Sequence, residues 1–107
     1  MAQYQIKVPH KIKVGGFDYK ICQSKRIEKE LDAEAMWGSH SEILREIHLM
    51  RGDGKISAQQ YSQSFLHEVI HSINAVYRRS KLDEDDISGI SRGLHQVFEQ
   101  LGIRFIK

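Results

Sequence analysis

Residues 57–77 read SAQQYSQSFLHEVIHSINAVY, and this stretch decides the architecture. Tyr61, Phe65, Val69, Ile73 and Val76 recur at three- and four-residue spacing, which is the period of an amphipathic helix. Ser57 is a suitable N-cap, because its hydroxyl can accept from a first-turn amide. A helix is therefore expected from there to about Tyr77. Ser80 to Leu82 form a break, after which Asp83 can cap a second helix. Its first-turn residues Glu84, Asp85 and Asp86 suit the positive end of a helix dipole. Ile87, Ile90, Leu94, Val97 and Leu101 supply an apolar face, and Gly102 ends it.

Upstream the period changes to two. Tyr4, Ile6 and Val8, then Ile12 and Val14, then Phe17, Tyr19 and Ile21 alternate with polar residues around Gly15-Gly16. Strands are expected near residues 3–8, 10–14 and 17–23, the last two joined as a hairpin. Ser24 to Ala35 is charged and helix-favouring, with Ile27, Leu31 and Ala35 four apart. Trp37-Gly38-Ser39 reads as its break. Ile43 to Met50 reads as a further strand, and Arg51-Gly52-Asp53-Gly54 as a turn. Strands first and two long helices last make an α+β domain: a small, mostly antiparallel sheet followed by two helices, one unit over residues 1–107.

Composition narrows the function classes. Of 107 residues, 40% are hydrophobic and 28% charged, enough for a core and a solvated surface, which excludes a disordered polymer. No apolar run approaches the roughly 20 residues of a membrane span, and Met1 to Ile12 has no signal-peptide core. The single cysteine, Cys22, excludes an internal disulfide and fits a reducing, cytoplasmic setting. The net charge is only +2, and Lys25-Arg26 and Arg78-Arg79 read as solvated surface, so nucleic acid is not the expected partner.

The chemistry lies in His67-Glu68-Val69-Ile70-His71. On a helix, residues four apart stack one turn above the other, so both imidazoles share a face. Two neutral imidazoles on one rigid face are half of a zinc site. Glu68 projects beside them as a base towards water rather than as a ligand. Phe65, Leu66, Val69, Ile70 and Ile73 provide an apolar wall. His10, His40 and His48 carry no ligand spacing and read as structural or exposed. Cys22 has no basic neighbour that would activate it as a nucleophile.

The run Phe65 to Ile73 resembles the active-site helix of zincin metallopeptidases. The order of elements resembles the minimal single-domain zincins of phages and prophages, related in layout to ImmA/IrrE-like and SprT-like peptidases. The resemblance implies a zincin-like fold, Zn2+ as cofactor, and a protein or peptide as substrate. It also implies that Ile43–Met50 is the edge strand beside the cleft, pairing with an extended peptide.

A catalytic zinc takes a third protein ligand. The resemblance favours an acidic residue after the motif helix, and among Asp83, Glu84, Asp85 and Asp86 the best match is Glu84. Geometry favours His95: after a tight turn, an antiparallel helix brings residues 91 to 95 level with His67 and His71. Both stay open. The leading expectation is a zinc-dependent peptidase with Glu68 as general base. The alternative is a non-catalytic, metal-stabilised module that binds a protein such as a phage repressor.

Overall fold

The computed structural model describes residues 3–52 and 54–107. Asp53, in the turn expected over 51–54, lies outside the described residues. Among these described residues, nine elements follow in chain order: β1 (Tyr4–Lys7), β2 (Lys11–Val14), β3 (Phe17–Cys22), α1 (Lys25–Ala33), β4 (Gly38–Ser41), β5 (Glu46–Leu49), α2 (Ala58–Arg78), α3 (Glu84–Gln100) and β6 (Ile103–Ile106). The α+β class expected from the sequence is what the chain adopts. Among the described residues, no helix is long and apolar enough to cross a membrane.

Local chemistry accounts for the boundaries. Gly15 and Gly16 both have positive φ, as the tight two-residue turn between β2 and β3 demands. A Cβ on Gly15 would lie 2.3 Å from Val76 Cγ1, so glycine also lets the turn meet the end of α2. The Ser24 hydroxyl accepts from Ile27 N and starts α1. Capping boxes start both long helices: Ser57 with Gln60, and Asp83 with Asp86.

The four-stranded sheet has the order β2-β3-β5-β4. Two of its pairings are antiparallel and β3·β5 is parallel, so the sheet is mixed. Val14, Tyr19, Ile21, Ile47 and Leu49 point to one face and pack on Tyr61 and Phe65 of α2. Ile47 and Leu49 are wholly buried; truncating either to alanine would cost about 2–5 kcal/mol. The residues that alternate with them, among them Cys22, Glu46 and His48, point to the opposite face.

Three expectations are corrected. The first strand does not extend the hairpin sheet. It pairs in parallel with β6, a strand the sequence reading lacked, from Tyr4↔Ile103 to Lys7↔Ile106. Gly102, read only as a helix end, has φ +77 and turns the chain directly into that strand. Second, Ile43–Met50 is not one strand and not the sheet edge. Arg45 takes the left-handed conformation (φ 51), which breaks the run, and its guanidinium lies over the Phe17 ring. Ile43 is consequently 96% exposed in the β4–β5 loop. The shortened β5 sits between β3 and β4, and the edges are β2 and β4, the latter where Trp37-Gly38-Ser39 reads as a break. Third, α3 buries Ile87, Ser91 and His95 but leaves Ile90, Leu94 and Val97 exposed. Ser62 and Ser72 of α2 and Ser91 of α3 are fully buried. Ile87 packs on Leu66 and Ile70 of α2 and Ser91 meets His67, so α3 sits on that side rather than on its more apolar one.

Candidate metal centre

His67 and His71 stand one turn apart on α2, and their Nε2 atoms are 3.2 Å apart. Glu84, the first residue of α3, reaches both. Its Oε1 lies 2.9 Å from His67 Nε2, and its Oε2 lies 2.9 Å from His71 Nε2. Two nitrogens and a carboxylate thus converge on one point.

Glu84 arrives there because of the loop. Arg79 and Ser80 both adopt left-handed backbone, turning the chain sharply back along the last turn of α2. The Asn74 side chain then clamps Leu82, donating to its carbonyl and accepting from its amide, both at 3.1 Å. Leu82 is therefore already level with Asn74, one turn above His71. The descent happens in the loop rather than in the helix, so α3 begins at the height of the histidines. This corrects the geometric expectation for His95. Ser91 comes level with His67, and His95 lies a further turn along, 2% exposed and outside the cluster. Among the described residues, its Nε2 is buried without a partner, and burial depresses its pKa. Asp83 and Asp86 are occupied by the α3 capping box.

Hydrogen bonding bears on whether these residues suit a cation. The Ser91 hydroxyl donates to the Ser88 carbonyl at 3.2 Å and accepts from His67 Nδ1 at 3.2 Å. In the tautomer that suits this contact, with the His67 proton on Nδ1, the Nε2 lone pair faces Glu84 and His71. Burial is the main cause that lowers the pKa of His71, which favours its neutral, ligating form. The two imidazole nitrogens and the carboxylate face one another within hydrogen-bond distance, a group that could hold a cation. The donor set suits zinc, which accepts nitrogen and oxygen ligands at about 2.0–2.2 Å.

Glu68 stands with His40 and His71 in a further group whose donor atoms lie within 4.8 Å of one another. It is 5% exposed, and its Oε1 accepts from His40 Nδ1 at 3.1 Å. His40 in turn stacks on His71, with ring centroids 4.2 Å apart. The hydrogen bond to Glu68 is the main cause that raises the His40 pKa. His40 was read from sequence as structural or exposed, yet it belongs to the site. The available signal was the alternation Gly38-x-His40, which becomes visible only if those residues are recognised as a strand.

Gly38 brings β4 directly over the acid. A Cβ there would lie 2.8 Å from Ser64 Oγ and 3.1 Å from Glu68 Cγ. A groove of about 540 Å³ opens beside it, lined by Trp37, Gly38, Ser64, His67, Glu68 and Arg92 among others. No protein-family model, curated protein or solved structure matches this chain.

Proposed function

We propose that this protein is a zinc-dependent peptidase of zincin-like design, with His67, His71 and Glu84 holding the metal and Glu68 as the general base. One observation carries the reading: the two helical imidazoles meet the Glu84 carboxylate while Glu68 faces a groove under a free sheet edge. Zinc bound at those three residues supplies a Lewis acid that acidifies water and polarises a carbonyl. Glu68 accepts the proton of the attacking water and delivers it to the departing amine. His40 Nδ1–H holds Glu68 Oε1 and leaves Oε2 for that proton. The outer edge of β4 offers backbone groups to an extended peptide, and Gly38 lets that backbone pass close to Glu68.

The test is hydrolysis of a complex peptide mixture by zinc-loaded protein, with new termini read by mass spectrometry. Wild type is expected to generate them. Glu68→Gln should reduce their rate of appearance by about 10²–10⁴-fold while retaining the same zinc content. Equal cleavage by both proteins would refute the mechanism. A zinc-loaded wild type that produces no termini would favour the metal-stabilised binding module.

A further inference from the structure

We propose a second metal site, on the sheet face turned away from α2, in which Cys22 Sγ, a His48 ring nitrogen and a Glu46 carboxylate oxygen coordinate one divalent cation of the zinc class. The site shares no residue with the cluster on α2.

Strand register builds it. In the parallel β3·β5 pair, Cys22 lies directly beside His48, and Lys20 beside Glu46. Their neighbours Ile21 and Ile47 are buried in the core, so Cys22, Glu46 and His48 share the other face. The three donor atoms lie within 4.8 Å of one another, and His48 Nε2 is 2.9 Å from Glu46 Oε1. Ligand bonds of about 2.0–2.3 Å give donor separations of roughly 3.3–3.8 Å around a tetrahedral ion. The donors therefore stand within about 1 Å of the separations a tetrahedral ion requires.

The surroundings fit as well. On one side, Cys22 packs against the cluster that Ile27 and Leu31 of α1 form with Met50. On the other, His48 and Glu46 keep 18% and 26% of their side-chain surface, leaving room for water in a fourth position. A thiolate and a carboxylate together neutralise a dication. The mixture of sulfur, nitrogen and oxygen selects zinc-class ions over magnesium or calcium, which require oxygen cages. The role that follows is structural. The ion would clip β3 to β5, the one parallel pairing of the four-stranded sheet and one closed only after the chain has passed through α1 and β4.

Cobalt(II) is the probe, because a cobalt–thiolate bond gives a charge-transfer absorption in the near ultraviolet that nitrogen and oxygen ligands do not. Titrations would compare wild type, a His67→Ala/His71→Ala double variant, Cys22→Ser and His48→Ala, each verified as folded by circular dichroism. One equivalent with the thiolate band is expected in wild type and equally in the double variant. The band should vanish in Cys22→Ser, and affinity should fall at least about tenfold in His48→Ala, the smallest loss seen when even a supporting group is removed. If His48→Ala does not fold, His48→Gln replaces it. A wild type without the band at saturating cobalt would overturn the proposal. So would a band of unchanged affinity in the His48 variant, because cobalt would then be bound by the thiol alone. The double variant keeps this outcome separate from that of the peptidase reading.

Discussion

Two of the donor clusters lie on opposite faces of one sheet and are assembled by different geometries. On α2, His67 and His71 share a face because they are four apart on a helix, and the third donor arrives from another helix through a clamped loop. Across the sheet, Glu46 and His48 share a face because they are two apart on a strand, and Cys22 comes from the neighbouring strand by register. The helical cluster opens on a groove beside a buried acid; the sheet cluster is backed by α1. The same type of ion would thus meet a reactive setting at one site and a cross-strand tie at the other.

The largest effect that would sharpen this contrast is on metal affinity at the helical cluster. His67→Ala or Glu84→Ala should weaken zinc there by more than about 100-fold, or ~2.7 kcal/mol, in a chelator competition. Zinc at Cys22 should be unchanged in the same variants. His95→Leu should leave both affinities as they are, and a loss at the helical cluster would restore His95 as a ligand.

A smaller effect tests how closely β4 must approach the acid. Gly38→Ala forces a methyl group against Ser64 and Glu68, and overpacking of that kind costs about 1–3 kcal/mol. Urea unfolding should show the loss, with no change in the cobalt–thiolate band. Smaller still is the effect of relieving the loop. Arg79→Gly removes a side chain from left-handed backbone and should stabilise the fold by about 1 kcal/mol in thermal melts. Its zinc affinity should match wild type, because the Asn74–Leu82 clamp is untouched.

The gentlest effect is a slope with pH. Burial lowers the His95 pKa below its ordinary 6.5. The unfolded chain then takes up a proton that the folded one refuses, so this contribution is complete above pH 6.5 and is lost as pH falls from there through the lower folded value. His40 has a raised pKa and acts in the opposite sense. The measurement is therefore the difference between wild type and His95→Leu. The leucine variant should lose less stability between pH 7.5 and 5.5, by urea midpoint. Above pH 6.5 it should match or exceed wild type, because it removes an orphaned buried nitrogen.

How far these features could be read in advance follows from where their information lies along the chain. His67, Glu68 and His71 are local, and one helical turn places them, so their juxtaposition was legible. The helices, their caps and the β2–β3 hairpin were legible for the same reason. Glu84 against His95 was not, because two left-handed residues and one asparagine clamp set the height of α3, and neither leaves a periodic trace. His40 was hidden by a strand of four residues that opens on Trp37-Gly38, a pair that reads equally well as a turn. The alignment of Cys22 with His48 depends on a parallel register across α1 and β4, which no local pattern encodes. On α3, hydrophobicity pointed to the wrong face. Ile87 packed on Leu66 and Ile70, with Ser91 against His67, holds the other side to α2.

Glu84 has a further consequence, since it stands at the very start of α3 while the atoms it meets belong to α2. A cation held there would be a tether between two helices as well as a reactive centre. α3 leaves most of its apolar residues in water and is joined to α2 by a short loop, which makes it the element suited to open locally without the sheet. Binding that favours only the closed arrangement would suppress such openings in proportion to occupancy. Amide hydrogens along α3 would then report the state of the cluster at a distance, while those of the β2–β3 hairpin would exchange as before.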